Sequence, residues 1–590
     1  MSSTLCFEPL KSAEFTFEGL VGRRLEANRD HWLLVAPWSN PAMLEMFRDR
    51  ERGPRRDLVP WAGEFAGKYL TSGVLCWRIG GDAALCNQLA DFVQELISVQ
   101  GDDGYLGPFP RRERLVGKTA DGSHFLWDLW GHYHCLLGLF LWYRETGDEK
   151  ALSACCRAAD YICHYFFDGE ARVIDAGAPE MNMAISHILA LLYQETDKPL
   201  YLRMLKEIEA DWQKPGAGDY LREALAGTPF HRMPRPRWES LHDVQAILGL
   251  YEITGEERYR QAFEHIWHSI AEADIHNTGG FSSAEKATGN PFAEGAIETC
   301  CTVAWMALCV DMLRLTGDPR VADALELATF NAALGAQSPS GRWWTYNTPM
   351  DGVRKASAHD IVFQARAGTP ELNCCAVNGP RSLGMLSQWS IMRSEDGGIV
   401  LNYYGPSICD VALSDANTVR LHEETDYPRT GRVRITMLVV EPVQFALSLR
   451  IPAWSEGTRV ELNGKAVDGV KAGEYLVLDR TWYPLDIITL QMDMGLRSLA
   501  GQREAKGKVS LYRGPLLLAY DRRFNTSAIK EIKLSDVEAL EADLVPWTGS
   551  EPAPWLLLEL QDAEGDEFTL CDFATAGMAG TPYVTWLPVS

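Results

Sequence analysis

Positive charge is what this chain has least of. Its 56 Lys and Arg are outnumbered by 80 Asp and Glu, a net charge of −24 that repels phosphate backbones and anionic lipid and argues against nucleic acid or membrane surfaces as partners. Long apolar runs are missing too. No window approaches the roughly eighteen uninterrupted apolar residues of a membrane-spanning helix, and Met1-Ser-Ser-Thr-Leu-Cys-Phe-Glu-Pro-Leu10 carries no basic stretch followed by an apolar core. The expected compartment is the cytoplasm. The composition, 46% hydrophobic and 23% charged, is that of a globular protein rather than a disordered or fibrous one. At 590 residues the chain is too long for a single core, and roughly two to four domains are expected. Its 19 tryptophans suit either large cores or sugar-stacking clefts. Fourteen cysteines include adjacent pairs beginning at 155, 300 and 374, an arrangement that fits reduced thiols better than a disulfide framework.

From about residue 15 to 390 the apolar periodicity is helical, and one signature recurs: Trp142-Tyr-Arg-Glu-Thr-Gly-Asp148, Leu192-Tyr-Gln-Glu-Thr-Asp-Lys198, Leu250-Tyr-Glu-Ile-Thr-Gly-Glu256 and Leu313-Arg-Leu-Thr-Gly-Asp318. Each follows an amphipathic run and closes on Thr-Gly or Thr-Asp, the glycine supplying a left-handed C-cap before the next helix starts. With threonines at 146, 196, 254 and 316, the period is that of one helical hairpin and its loop. An open solenoid and a closed toroid share this signal, but about six such pairs fit the helical length, which favours an (α/α)6 barrel. Its loops, such as Val99–Pro110 and Asn277–Ser283, would gather around a funnel.

After about residue 395 the period changes from 3.6 to 2. Phe445–Ile451 and Gly473–Leu478 read as strands, with Asn463-Gly464 as a hairpin turn. The expected organisation is a helical catalytic unit over 1–394, a β-sandwich over 395–503 and a smaller β-rich unit over 504–590, in which 536–544 reads as a short helix.

Two segments carry unusual chemistry: Ala296-Ile-Glu-Thr-Cys-Cys301 and Asn373-Cys374-Cys375. A lone cysteine is ordinarily a small buried hydrophobe. As a set, Glu298, Cys300, Cys374 and Cys375 offer one carboxylate and three thiolates, a donor group suited to zinc. Residues at i and i+2 do not share a helical face, so Glu298 and Cys300 are expected in an irregular lead-in to the helix around Val303–Cys309, and Cys374 and Cys375 on non-helical backbone. Cys301 has the opposite parity and is expected to be core.

These residues, together with Thr278-Gly-Gly280, Asn378, Arg381 and the later phrases Leu449-Arg-Ile-Pro-Ala-Trp454, Asn463-Gly464, Arg480-Thr-Trp482 and Arg513-Gly-Pro515, occur in an order that resembles glycoside hydrolase family 127, which includes β-L-arabinofuranosidases. The resemblance implies a retaining exo-glycosidase that releases a terminal furanose, β-L-arabinofuranose first. It implies Zn2+ held by Glu298, Cys300, Cys374 and Cys375, with Cys374 as nucleophile. It also implies an acid/base glutamate between the Thr-Gly-Gly loop and Glu298, which is Glu285 or, alternatively, Glu294. His134 (with His132 as the alternative), His242, Tyr346 and Glu326 match sugar-contacting positions. Gly177-Ala-Pro-Glu-Met-Asn182 puts Ala178 where the family has a histidine, which bears on sugar choice. The partner is then an oligosaccharide or glycoside, with a homo-oligomer left open. Two further readings stay in play: a toroidal glycosidase or polysaccharide lyase that works through carboxylates or Tyr and His, its cysteines structural, and a non-catalytic carbohydrate-binding protein stapled by zinc.

Overall fold

The computed structural model describes residues 5–11, 13–355, 368–414, 417–526, 542–561 and 565–589. Six helices stand in a ring: Glu64–Trp77, Asp128–Thr146, Ile185–Thr196, Leu241–Thr254, Thr299–Thr316 and Cys374–Gly384. Each packs on the next, and the last packs on the first, so the toroid closes. These inner helices are buried nearly all round; every residue from Glu64 to Cys76 is buried. The outer helices Ala83–Ser98, Glu149–Asp168, Pro199–Asp211, Glu257–Ala273 and Pro319–Leu327 bury one face only, as a 3.6-residue period dictates. Gly67 lets two inner helices touch. A Cβ there would meet the His134 carbonyl carbon at 2.1 Å, so any larger residue would force the helices apart.

The recurrent signature does what its chemistry suggests. Gly147, Asp197, Gly255 and Gly317 all adopt left-handed backbone at a helix C-terminus. The preceding Thr146, Thr196, Thr254 and Thr316 hydroxyls each donate to the carbonyl four residues back, at 2.6–2.8 Å.

Behind the barrel lie two sheets. One runs Phe7–Pro9, Ile391–Ser394, Ile399–Leu401, Val443–Arg450, Tyr475–Trp482; the other runs Lys465–Ala466, Arg459–Leu462, Ile487–Gln491, Arg432–Leu438, Asn417–Thr425, Ser407–Ser414, Ala13–Phe17. The chain's first two strands therefore complete this β unit rather than belonging to the helical one. Asn463 and Gly464 both have positive φ, 51° and 75°, between paired strands, the turn expected of Asn-Gly. A third sheet of eight described strands starts at Leu496–Ala500, earlier than the expected boundary at 504. Of the expected helix at 536–544, residues up to 541 lie outside the described residues, and Ala542–Leu544 is a strand.

The β units brace the barrel's loops. Fully buried Arg450 pairs with Asp323 and Glu326 of an outer helix. Tyr512 donates to the Asn277 carbonyl at 2.7 Å, and Asn277 donates to Ser510 and Thr585, both at 2.9 Å. The loop that leads to Glu285 is thus anchored on the C-terminal sheet.

Candidate active site

A short ribbon sets the site. Ala296–Glu298 pairs antiparallel with Asn347–Pro349, and Thr299 donates from N–H to the Tyr346 carbonyl at 2.9 Å and from its hydroxyl to the Thr345 carbonyl at 2.7 Å. This holds Glu298 and Tyr346 side by side. Glu298 then stands at the N-cap position of Thr299–Thr316, and Asn373 caps Cys374–Gly384, its side chain accepting from the Ala376 N–H at 2.9 Å. Here the structure differs from expectation: Cys300, Cys374 and Cys375 occupy first helical turns, not irregular chain. Their convergence follows because first-turn residues of two helices can meet end to end, where unpaired N–H groups and the helix dipole favour thiolate.

The four donor atoms of Glu298, Cys300, Cys374 and Cys375 lie within 4.8 Å of one another, all buried. Cys375 Sγ is 3.4 Å from both Glu298 Oε1 and Cys300 Sγ, and 4.0 Å from Cys374 Sγ. Asn378 donates toward Cys300 Sγ at 3.5 Å. Burial, together with the neighbouring thiols, drives Glu298 and Cys375 well above their ordinary pKa ranges. Cys374 is pushed up to about 12, chiefly by its hydrogen bond with Cys300. Against its own burial, Cys300 is drawn down to about 6 by Cys374, Cys375 and nearby Lys68. Four buried acidic groups this close are ionised together only around a cation, and three sulfurs with one carboxylate suit a soft metal. The residues fit such an ion. Cys301, as expected, is buried outside this set, its sulfur 3.7 Å from the other Glu298 oxygen.

Cys374 and Glu298 open onto a cavity of about 190 Å3 that also takes Tyr346, Glu285, Glu239, Arg237, Glu64 and the indoles of Trp61, Trp127 and Trp238. Of the two candidate acids, the structure brings Glu285 to this wall. Glu285 accepts from Tyr346 Oη at 3.3 Å and from Arg237 at 3.0 Å. Glu294 is exposed and does not line the cavity.

Sequence reasoning missed several lining groups. Arg237 forks between Glu285 and Glu239, the latter at 2.8 and 2.9 Å, and burial pushes Glu239 up to about 7. Glu64 accepts from Trp130 Nε1 and pairs with fully buried Lys68 at 2.8 Å; burial raises it to about 7 as well. Lys68 Nζ lies 5.3 and 5.1 Å from the Trp130 and Trp238 rings. The available signal was a charged pair at i and i+4 inside an otherwise apolar helix.

Other expected sugar contacts fall elsewhere. Glu326 lies at the junction with the β unit, where it accepts from Arg450 at 2.6 Å, from the Tyr427 hydroxyl at 2.5 Å and from Trp454 at 3.3 Å, and it does not line the cavity. His242 is buried and bonded to Gln245 at 2.8 Å and Tyr133 at 3.0 Å; Trp238 and Glu239, just before it, reach the cavity instead. His132 accepts from the Leu106 N–H at 3.0 Å. His134 is buried edge-on to Trp130, 4.3 Å between centroids, and does not line the cavity, although both its nitrogens have no partner among the described residues. Ala178 takes left-handed backbone, φ 41°, ahead of Pro179–Asn182.

The chain is thus a closed barrel of helical hairpins, backed by β units, with a carboxylate- and thiol-lined cavity at helix N-termini. Residues 23–388 match the GH127 β-L-arabinofuranosidase catalytic domain and residues 398–494 the middle domain of the same family. The chain belongs to the GH127 β-L-arabinofuranosidase family. Three solved structures share the fold over nearly the whole of both chains. A GH127 β-L-arabinofuranosidase from Geobacillus stearothermophilus T6 is 21% identical with a TM-score of 0.77, covering 98% of this chain and 100% of its own. A GH127 β-arabinofuranosidase is 20% identical at 0.79, and a glycoside hydrolase 20% identical at 0.76; each covers 100% of this chain and 98% of its own. No curated sequence matches the chain.

Proposed function

We propose that the protein is a retaining exo-glycoside hydrolase that releases a terminal furanose, β-L-arabinofuranose first, with Cys374 as nucleophile and Glu285 as acid/base. The observation that carries this is the cavity shared by Cys374, Glu285 and Glu298, with Cys300 and Cys375 directly behind. The donor set suits Zn2+ held by Glu298, Cys300, Cys374 and Cys375, which when bound keeps the thiols as thiolates at neutral pH. Cys374 Sγ attacks the anomeric carbon as the glycosidic bond breaks, and Glu285 gives its proton to the leaving oxygen. Glu285 then takes a proton from water, which displaces the sulfur and restores the thiolate, the retaining sequence with sulfur in place of one carboxylate. Solvent access favours Glu285 over Glu239 for that second step, since their side chains are 41% and 2% exposed. Arg237 and Tyr346 hold the Glu285 carboxylate in place. The fourteen cysteines, all free, support a reducing compartment such as the cytoplasm.

Protein purified without added metal is expected to carry about one zinc per chain. Cys375→Ala is expected to lower that content, and Cys374→Ala to abolish turnover of aryl β-L-arabinofuranosides. Full activity in Cys374→Ala would overturn the mechanism.

A further inference from the structure

Directly outside the cavity the surface opens into a groove of about 760 Å3. Trp61 and Trp127 line both spaces. Their ring centroids are 5.2 Å apart with planes inclined at 43°, so the two half-buried indoles form one continuous lip from inner cavity to outer groove. At about 190 Å3 the inner space falls below the roughly 300–1,000 Å3 of drug-sized ligands, whereas the outer one lies within that range.

The far wall is a small hairpin. Lys118 and Phe125 bridge its ends, the Thr119 N–H donates to the His124 carbonyl at 2.8 Å, and Asp121 accepts from the Thr119 hydroxyl at 2.6 Å and the Ser123 N–H at 3.0 Å. So held, it presents exposed Lys118 and His124 to the groove. Lys118 Nζ lies 4.6 Å from the Phe125 ring centroid, and the groove's arginines are balanced, Arg55 by Glu113 and Arg56 by Glu45 and Asp49. A wall of this kind, flat indoles beside hydrogen-bonding groups of both signs, suits a ligand with apolar C–H faces and many hydroxyls, and gives no net attraction to an anion.

We infer that this groove is the aglycone subsite, which holds the remainder of a neutral oligosaccharide while its terminal sugar occupies the cavity. The inference rests on the proposed glycosidase function and adds where substrate selection occurs. Trp61 and Trp127 carry the sugar next to the scissile bond, and Lys118 and His124 bind hydroxyls of the unit beyond. Binding energy from this remote part of the substrate then raises kcat/KM for oligosaccharides over a minimal glycoside.

Two readouts test it. In the first, kcat/KM is compared between a β-L-arabinofuranosyl-terminated arabinose trisaccharide and methyl β-L-arabinofuranoside. Wild type is expected to favour the trisaccharide, and Lys118→Ala/His124→Ala to cut that preference about tenfold, the loss of two hydrogen bonds, mainly through KM, with the methyl glycoside changed less than about twofold. In the second, arabinobiose is titrated against Cys374→Ala by tryptophan fluorescence. It is expected to bind, and to bind more weakly when Trp127→Ala is added. Equal preference in wild type, or an unchanged preference in the double variant, overturns the subsite, as does failure of arabinobiose to bind. If neither glycoside is turned over yet arabinobiose binds through Trp127, the catalytic reading fails and the groove stands.

Discussion

Glu285 sits on backbone that its side chain does not favour. Its φ of 56° is a left-handed value that few non-glycine residues adopt, and such strain persists where surrounding structure holds it. Here the hold is Tyr346 on one carboxylate oxygen and Arg237 on the other. Glu285→Gln should cut turnover of an unactivated glycoside by about 10²–10⁴-fold, whereas an activated aryl glycoside, whose leaving group departs without a proton, should show partial rescue by azide attacking the glycosyl-cysteine in place of water. Glu239→Gln, which leaves Arg237 to Glu285 alone, should cost less and show no rescue; the reverse order would move the proton donor to Glu239. The cluster of Glu298, Cys300, Cys374 and Cys375, which could hold a metal, was legible because adjacent cysteines near a carboxylate are chemically unusual at any position. Glu285, the cavity glutamate given the acid/base role in the proposed reaction, was legible only as one of two glutamates, since loop carboxylates are common and which of them reaches the cavity depends on where Arg237 and Tyr346 stand. Glu64 and Lys68 left a signal in the sequence but one easily passed over, for the opposite reason. On a helix, such a spacing ordinarily makes a solvated pair, and only the tertiary fold closes two indoles over it.

At the level of elements, four hairpins were readable because each ends in the same cap chemistry. The first hairpin turns instead through Gly80, Gly81 and the N-cap Asp82, which broke the pattern. The caps also differ among themselves. Asp197 holds φ 52° where the other three caps are glycine. Asp197→Gly should therefore stabilise and Gly147→Ala destabilise, each by up to about 1 kcal/mol, measured as opposite shifts in urea midpoint. Strand Asn417–Thr425 carries a second testable oddity in Glu423, 2% exposed and raised by burial from 4.5 to about 8 despite hydrogen bonds from Gly405 and Ser407. A carboxyl whose folded pKa is raised adds stability below its unfolded pKa and loses it as pH climbs through the folded value. Glu423→Gln cannot ionise, so its stability advantage over wild type, followed by urea unfolding, should be small at pH 5 and grow by pH 8.5 to the order of a few kcal/mol. An advantage that stays flat with pH would mean that Glu423 is ionised in the fold already.

Across the whole molecule, the barrel and the β units are joined by charge as well as by chain path. The first strand, Phe7–Pro9, pairs with Ile391–Ser394, a partnership invisible to local periodicity because it spans most of the barrel. Arg450, on a central strand, is fully buried against Asp323 and Glu326 of the barrel, with Trp454 donating to Glu326 at 3.3 Å and Tyr427 closing the other side at 2.5 Å. Removing one partner of a buried ion pair strands the other and costs about 3–5 kcal/mol. Arg450→Met, which strands two carboxylates, should lower the Tm and separate calorimetric unfolding into a barrel and a β transition. The same junction decides between two roles for Glu326, the sugar contact implied by family resemblance and the interdomain anchor seen here. An anchor acts through folding alone, so Glu326→Gln should lower the Tm while leaving KM for a methyl furanoside within about twofold of wild type, well below the unfolding transition. A rise in KM with an unchanged Tm would return Glu326 to the sugar, and would require the junction to open during the catalytic cycle.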